Sequence, residues 1–357
     1  MPISPQRDPD LTRRQLTAWL AGKMPHARDL AIENLVPPVS TGFSNDTLLF
    51  DLAWTEDGHT RRHGLVARIE PTGATVFPEY DVGQQFRVMK ILGEASDVPV
   101  PKVYWLEESD ALLGAPFYVM ARVEGRIPPD NPTYHAAGWM TEVTPAERAA
   151  LWWDGLEILT RIHKLDWRRL GFQFLDRSGA PGLRAQLEYY ARYLAWAGRG
   201  KPQPVAEAAF AWLKQHEPAG ERIGLCWGDA RLGNMIFADG RCQAVLDWEM
   251  ATLGDPVQDL AWWLFFDRHH SEGIGLGRLE GLPGRAETVA RYEELMGCRV
   301  EHLDYYEVFA GFRFAVIMCR LSQVMTLFDM LAPDSDMETN NTATRLLARM
   351  LDLPAPG

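Results

Sequence analysis

Cys226-Trp227-Gly228-Asp229-Ala230-Arg231-Leu232-Gly233-Asn234-Met235-Ile236-Phe237, then Leu246-Asp247-Trp248-Glu249 and Gly254-Asp255-Pro256, is the stretch that decides the fold. Apolar runs at Ile223 to Trp227, Asn234 to Phe237 and Cys242 to Leu246 predict three short strands. Asp239-Gly240 predicts a hairpin between the last two. Asp229 and Asn234 stand five apart, and Asp247 follows Asn234 by thirteen. Phosphoryl transfer uses such a set: a loop Asp to orient the acceptor hydroxyl, with an Asn and a strand-end Asp for the Mg²⁺ that bridges ATP phosphates. Both metal candidates, Asn234 and Asp247, are expected at strand ends facing one cleft, with Asp229 as the catalytic acid–base residue.

The stretch resembles the aminoglycoside phosphotransferase and choline-kinase-like family, whose signature is His-Gly-Asp, four residues, Asn, and a later Leu-Asp-Trp-Glu type Asp. It is similar in particular to the branch carrying Gly-Asp-x-Arg-Leu-Gly-Asn-Met and Leu-Asp-Trp-Glu-x-Ala-Thr-Leu-Gly-Asp-Pro, which also occurs fused to acyl-CoA dehydrogenase domains. The resemblance covers roughly residues 30–330. It implies an α+β, bilobal, protein-kinase-like fold with a small mixed N-lobe and a larger helical C-lobe. ATP and Mg²⁺ are the implied cofactors. One departure falls inside the motif: Trp227 stands where the family has His. An aromatic there is expected to keep the packing role and lose the hydrogen bond.

Upstream, Ser40-Thr41-Gly42-Phe43-Ser44-Asn45-Asp46 joins two predicted strands. Its backbone amides and hydroxyls suit a cover over ATP phosphates, making Ser40, Thr41, Gly42, Phe43 and Ser44 candidates. It is no Walker A loop, since no Gly-Lys-Ser/Thr follows. Arg68, in Val66-Ala67-Arg68-Ile69, takes the place of the kinase strand Lys and would clamp phosphates; the competing reading is a solvent-facing strand Arg. By family register Gln85 occupies the position of that cation's helix Glu, and a Gln brings no charge; Glu79 is the other candidate. Phe117 to Gly125 matches the family's connector strand. The resemblance implies adenine contacts from backbone near Ala121 and Val123, with Met120 against the ring.

Hydrophobic periodicity organises the rest. Asp10 is expected to cap a helix to Lys23. Asp46 to Trp54 and Gly64 to Ile69 read as strands around an Asp57-Gly58 turn, Glu79 to Leu92 as a helix, and Lys102 to Leu106 and Phe117 to Val123 as strands. Pro128-Pro129-Asp130-Asn131-Pro132 breaks the pattern and marks the lobe junction. Helices are then expected at 145–165, 182–197, 204–216, 255–267, 284–296, 302–331 and 341–351, the first opened by Thr144-Pro145-Ala146-Glu147. The resulting organisation is a helical extension (1–26), an N-lobe (27–123), a C-lobe (124–351) holding the catalytic loop 226–259, and a tail (352–357).

Composition bounds the partners. A chain of 357 residues with 46% hydrophobic residues buries a large core, and thirteen Trp, several in pairs, suit it. A net charge of −12 opposes nucleic-acid binding, which needs clustered cations. The four cysteines show no metal or disulfide spacing and fit a reducing compartment. No signal-like apolar run opens the chain, and the apolar tract Val308 to Met318 is too short for a bilayer. A cytoplasmic protein with a small-molecule partner and no membrane partner is expected.

Arg231 has two readings, contact with acceptor or phosphate and pairing with an acid such as Asp255. Asp255 is expected to cap the following helix and Asp259 to brace the loop, while His163 is expected to pack. Arg313 and Arg320, seven apart and so on one face of a helical stretch, have two readings, contact with an anionic acceptor or with acids of neighbouring helices. They favour a neutral or anionic acceptor with an apolar portion over an aminoglycoside. The expected activity is transfer of the γ-phosphoryl of ATP to a small-molecule hydroxyl. The alternative is a nucleotide-binding sensor without chemistry, for which Trp227 and Gln85 speak.

Overall fold

The computed structural model describes residues 7–36, 46–176 and 178–356. Backbone contacts divide the chain into two compact units, Met1–Gly93 with Pro101–Val123, and Glu94–Val100 with Glu124–Gly357.

The first unit is built on a five-stranded antiparallel sheet of β1 (Arg28–Val36), β2 (Asp46–Glu56), β3 (His59–Ile69), β4 (Val103–Glu107) and β5 (Phe117–Ala121), in the order β1-β2-β3-β5-β4. β2 and β3 meet at Asp57-Gly58, both with positive φ, so the two-residue turn follows the strand twist. Alternation along β2 buries Leu48, Phe50 and Leu52 with Ala67, Ile69, Phe117 and Val119. Helix α1 (Pro9–Lys23) adds Leu16 and Leu20 to that core. Its cap is Asp8, not Asp10: the Asp8 carboxylate accepts the Asp10 and Leu11 N–H groups, and Pro9 takes the first turn. Helix α2 (Val82–Ala95) buries Val82, Val88, Met89 and Leu92.

The second unit is mainly helical: α3 (Trp139–Glu142), α4 (Pro145–His163), α5 (Trp167–Leu170), α6 (Leu183–Gly198), α7 (Pro204–Gln215), α8 (Val257–His270), α9 (Arg285–Met296), α10 (Leu303–Leu327) and α11 (Thr342–Met350). The Thr144 hydroxyl and Glu147 side chain make the reciprocal capping box that opens α4. Between α7 and α8 run two antiparallel pairs, β6 (Gly224–Cys226) with β9 (Thr252–Gly254), and β7 (Met235–Ala238) with β8 (Arg241–Val245). Asp239 and Gly240 both take positive φ in the β7–β8 turn. Helix α10 packs against α6, α7, α8 and α11. At 25 residues it is long and apolar enough to cross a bilayer, but 78% of its most apolar window is buried inside the protein. The tract judged too short from sequence is thus part of a longer core helix. The architecture is α+β, of the bilobal protein-kinase-like class.

Candidate active site

The loop between β6 and β7 is held by charges from beneath. Asp259, in the first turn of α8 and fully buried, accepts the Trp227 N–H at 2.6 Å and the Gly228 N–H at 3.0 Å. His163, ending α4, contacts the same carboxylate through Nε2 at 3.1 Å and the Tyr292 hydroxyl through Nδ1 at 2.7 Å. A carboxylate only accepts, so Nε2 donates to Asp259, and in the neutral ring Nδ1 then accepts from the Tyr292 hydroxyl. Both residues are scaffold, as expected. Gly228 has φ of +93°, and a Cβ there would meet the Met250 carbonyl oxygen at 2.1 Å, so no side chain fits.

Three donors converge on the Asp229 carboxylate. Trp262 Nε1 reaches Oδ1 at 2.8 Å, Asn234 Nδ2 reaches Oδ2 at 2.6 Å, and Arg231 Nε lies 3.1 and 3.0 Å from the two oxygens. Asn234 Nδ2 also approaches the Asp229 carbonyl, at 3.1 Å. With its amide nitrogen so committed, Asn234 has its side-chain oxygen as the atom that could take a cation. The Asn234 carbonyl accepts the Leu246 N–H at 2.9 Å, which seats Asp247 next to the loop. Asp247 itself has φ of +61°, a left-handed backbone that Asp adopts more readily than most side chains. A hard oxygen pair of one amide and one carboxylate suits Mg²⁺, which takes few protein ligands and completes its shell with phosphates and water.

Trp227 is fully buried and its indole N–H donates to the Leu246 carbonyl at 2.8 Å. The expectation that an aromatic here forfeits a hydrogen bond is therefore corrected: the indole N–H makes one of its own. Arg231 does not pair with Asp255. Its guanidinium bridges Asp229 and Asp130 and lies 5.5 Å over the Phe266 ring. Burial disfavours its charge, but Asp229 and Asp130 outweigh burial and raise its pKa. Asp255 instead accepts the Val257 and Arg222 N–H groups, each at 3.0 Å, stapling the start of α8 to the chain before β6.

Arg313 is not at a surface open to an acceptor. It is 1% exposed, donates to the Gly228 carbonyl at 3.0 Å and the Tyr190 hydroxyl at 3.2 Å, and stacks 4.4 Å from the Trp262 ring. The seven-residue spacing gives Arg313 and Arg320 a shared face, and α10 is covered nearly all round. Arg320, about 10 Å further along the helix, bonds Gln323 at 3.0 Å and stacks 4.6 Å from Trp196. Neither arginine is brought to the Asp229 carboxylate. Sequence reasoning missed Trp262, read only as core, and Asp130, read only as part of a Pro-rich loop. Trp262 lies three residues after Asp259, one helical turn along the same face, which was the available signal.

Burial raises the thiol pKa values of Cys226, Cys242 and Cys319, the last two to about 12, so these side chains serve as small apolar groups.

Of the nucleotide candidates, Ser40, Thr41, Gly42, Phe43 and Ser44 lie outside the described residues. Arg68 sits on β3, half-buried, with Nη1 on the Thr47 hydroxyl at 3.1 Å. Gln85 is 1% exposed and its Oε1 accepts the Tyr118 hydroxyl at 3.3 Å. Met120 is buried on β5, and Val123 lies just past the strand. The Ala121 N–H is already bonded to the Lys102 carbonyl at 2.8 Å, so it cannot also bond an adenine edge.

The phosphotransferase enzyme family model matches residues 36–294, a span holding the whole of this constellation. The chain belongs to that family. It is 32% identical over 268 residues to acyl-CoA dehydrogenase family member 11 of Gallus gallus, covering 71% of this chain and 33% of that protein. The matched stretch thus spans about a third of that relative's length. Among solved structures, a Ralstonia eutropha protein named for the aminoglycoside phosphotransferases superposes with a TM-score of 0.66 at 26% identity, covering 94% of this chain and 96% of that one. A thermostable aminoglycoside phosphotransferase APH(4)-Ia variant, crystallised with ADP and hygromycin B, shares the fold at TM-score 0.57 and 17% identity, covering 94% and 98%.

Proposed function

We propose that this phosphotransferase moves the γ-phosphoryl group of ATP to a hydroxyl of a small molecule. The observation that supports the reading is the contact set Asp229–Asn234–Leu246, which joins two chemistry-bearing residues of the motif to the residue immediately before the third, Asp247. Asn234 and Asp247 would hold Mg²⁺, which neutralises charge on the phosphate oxygens when bound. Asp229 would orient the acceptor hydroxyl and take its proton as the oxygen attacks phosphorus, with ADP leaving. Trp262 and Asn234 keep the carboxylate in one orientation by bonding one oxygen each. Arg68 would clamp phosphates from its strand.

Arg231 marks what must change on acceptor binding. A carboxylate offers about four lone-pair positions, and Arg231 Nε spans both oxygens that Trp262 and Asn234 already engage. The hydroxyl therefore has to share or displace that contact. The same contact, with Gln85 in place of an acid, favours the second reading, a nucleotide sensor without transfer.

For the acceptor we propose a neutral or anionic molecule with an apolar portion, such as a hydroxylated acyl or aromatic metabolite, and not an aminoglycoside. Half-buried Phe314 packs 4.6 Å from Phe266 and 4.8 Å from His269, extending an aromatic surface from Trp262. The late acids do not converge: Asp334 and Asp336 are exposed, and Glu338 is engaged by Arg199, Lys201 and Gln323. The kinship with acyl-CoA dehydrogenase family members supports the acyl class.

The test is ADP release from Mg·ATP across a hydroxylated library, paired with a thermal shift for ATP binding. Release with an acyl or aromatic alcohol is expected. ATP binding without release throughout favours the sensor, and kanamycin-type acceptors turning over at ~1 s⁻¹ or faster overturn the acceptor class.

A further inference from the structure

We propose that Arg313 is a positioning residue for the transfer reaction, fixing Asp229 from behind through the Gly228 carbonyl and the Trp262 indole. The inference rests on the function proposed above.

A fully buried guanidinium is costly unless its charge is compensated. Among the described residues Arg313 makes no ion pair, and its Nη1 has no hydrogen-bond partner. Three aromatic faces surround it instead, Trp262 at 4.4 Å, Tyr190 at 5.4 Å and Phe309 at 5.5 Å. Cation–π contact offsets part of the cost. A Met or Leu would pack in this apolar setting without any charge to compensate, so stability alone does not call for arginine.

What the charge does is visible in its two ends. Nη2 holds the carbonyl of Gly228, the residue immediately before Asp229. The face of the guanidinium braces Trp262, whose N–H is one of the three donors on the Asp229 carboxylate. One cation thus fixes both the backbone entering Asp229 and the orientation of its side chain. Across the same glycine, Asp259 holds the N–H. Gly228 is gripped at its N–H by an acid of α8 and at its C=O by a base of α10, so each charge has the other as its complement through one residue.

The experiment compares Arg313→Met, Arg313→Lys and Trp262→Phe in the full chain. ADP release is measured from Mg·ATP with water as acceptor, alongside amide hydrogen exchange read by mass spectrometry over 226–236. Arg313→Met is expected to lower kcat ~100-fold, the scale of a misplaced reacting group, with the KM for ATP nearly unchanged. Exchange should quicken over 226–236 and not elsewhere. Arg313→Lys, which can still reach the carbonyl, should restore part of both. Trp262→Phe should lower kcat, and its effect should fall short of additive with Arg313→Met because both act on one carboxylate.

Wild-type kcat and exchange in Arg313→Met would overturn the proposal. So would exchange raised evenly through the chain, which marks a packing role. If Arg313→Met does not fold, the Lys and Trp262→Phe variants decide by the same readouts. A wild-type chain without ADP release to water leaves the function reading to the hydroxylated library, while the exchange comparison still decides whether Arg313 holds the loop.

Discussion

The indole N–H of Trp227 donates to the carbonyl of Leu246, tying the loop that carries Asp229 to the strand end that carries Asp247. Trp227→Phe keeps an aromatic ring and leaves that carbonyl unpaired in the interior. The expected loss is about 2 kcal/mol of stability, within the range for a stranded buried acceptor. Urea unfolding of the two proteins measures it, and equal midpoints would show the bond to be dispensable.

Asp229→Asn preserves the shape of the carboxylate but cannot accept the acceptor's proton. Turnover should fall ~10²- to 10⁴-fold, the span of general acid–base catalysis, while nucleotide affinity by calorimetry stays near wild type. Full turnover in the variant would remove Asp229 from the chemistry.

Asp259 is the hub beneath the loop, so Asp259→Ala strands the Trp227 and Gly228 amides and the His163 ring together. Breaking a buried charged network by removing one partner costs about 3–5 kcal/mol. A variant melting within a degree or two of wild type would contradict the assignment.

Low pH should act through α8. Burial, followed by the nearby Arg231 charge and His135, lowers the His270 pKa to about 3, while Asp267 and Asp229 pull the other way. His269, half-buried, is likewise lowered to about 3, chiefly by desolvation and then by His270, and Asp130 stands 3.7 Å from His270. A histidine held neutral when folded binds its proton only when unfolded. Its stabilising contribution is therefore complete above pH ~6.5 and drains away as pH falls toward about 3. His270→Leu should flatten the pH dependence of unfolding free energy between pH ~5 and ~6.5 by up to about 1.4 kcal/mol per unit. Parallel wild-type and variant slopes would refute the shift.

Most of the second unit was legible because its signals are local. The Asp239-Gly240 turn, the Thr144–Glu147 capping box and the spacing of Asp229, Asn234 and Asp247 each need only a few neighbouring residues. β1 was expected only as the strand entering Ser40, without bounds, because positive φ at Asp29 and Asn34 and two register shifts against β2 break its alternation. Arg313 was misread for a different reason. A seven-residue spacing identifies a shared face, but nothing in the spacing says whether that face meets water or three other helices. Trp262 and Asp130 reach Asp229 and Arg231 only through tertiary structure, from 33 and 101 residues away.

The doubly gripped glycine also has a bearing on the order in which the molecule assembles. Its N–H awaits an acid of α8, and its C=O awaits a base delivered by α10 some 85 residues downstream. A fragment ending before residue 303 would contain every letter of the Gly-Asp…Asn…Asp signature and still lack the scaffold that gives the signature its shape. Competence would then arrive late in synthesis, with the closing helix and not with the motif.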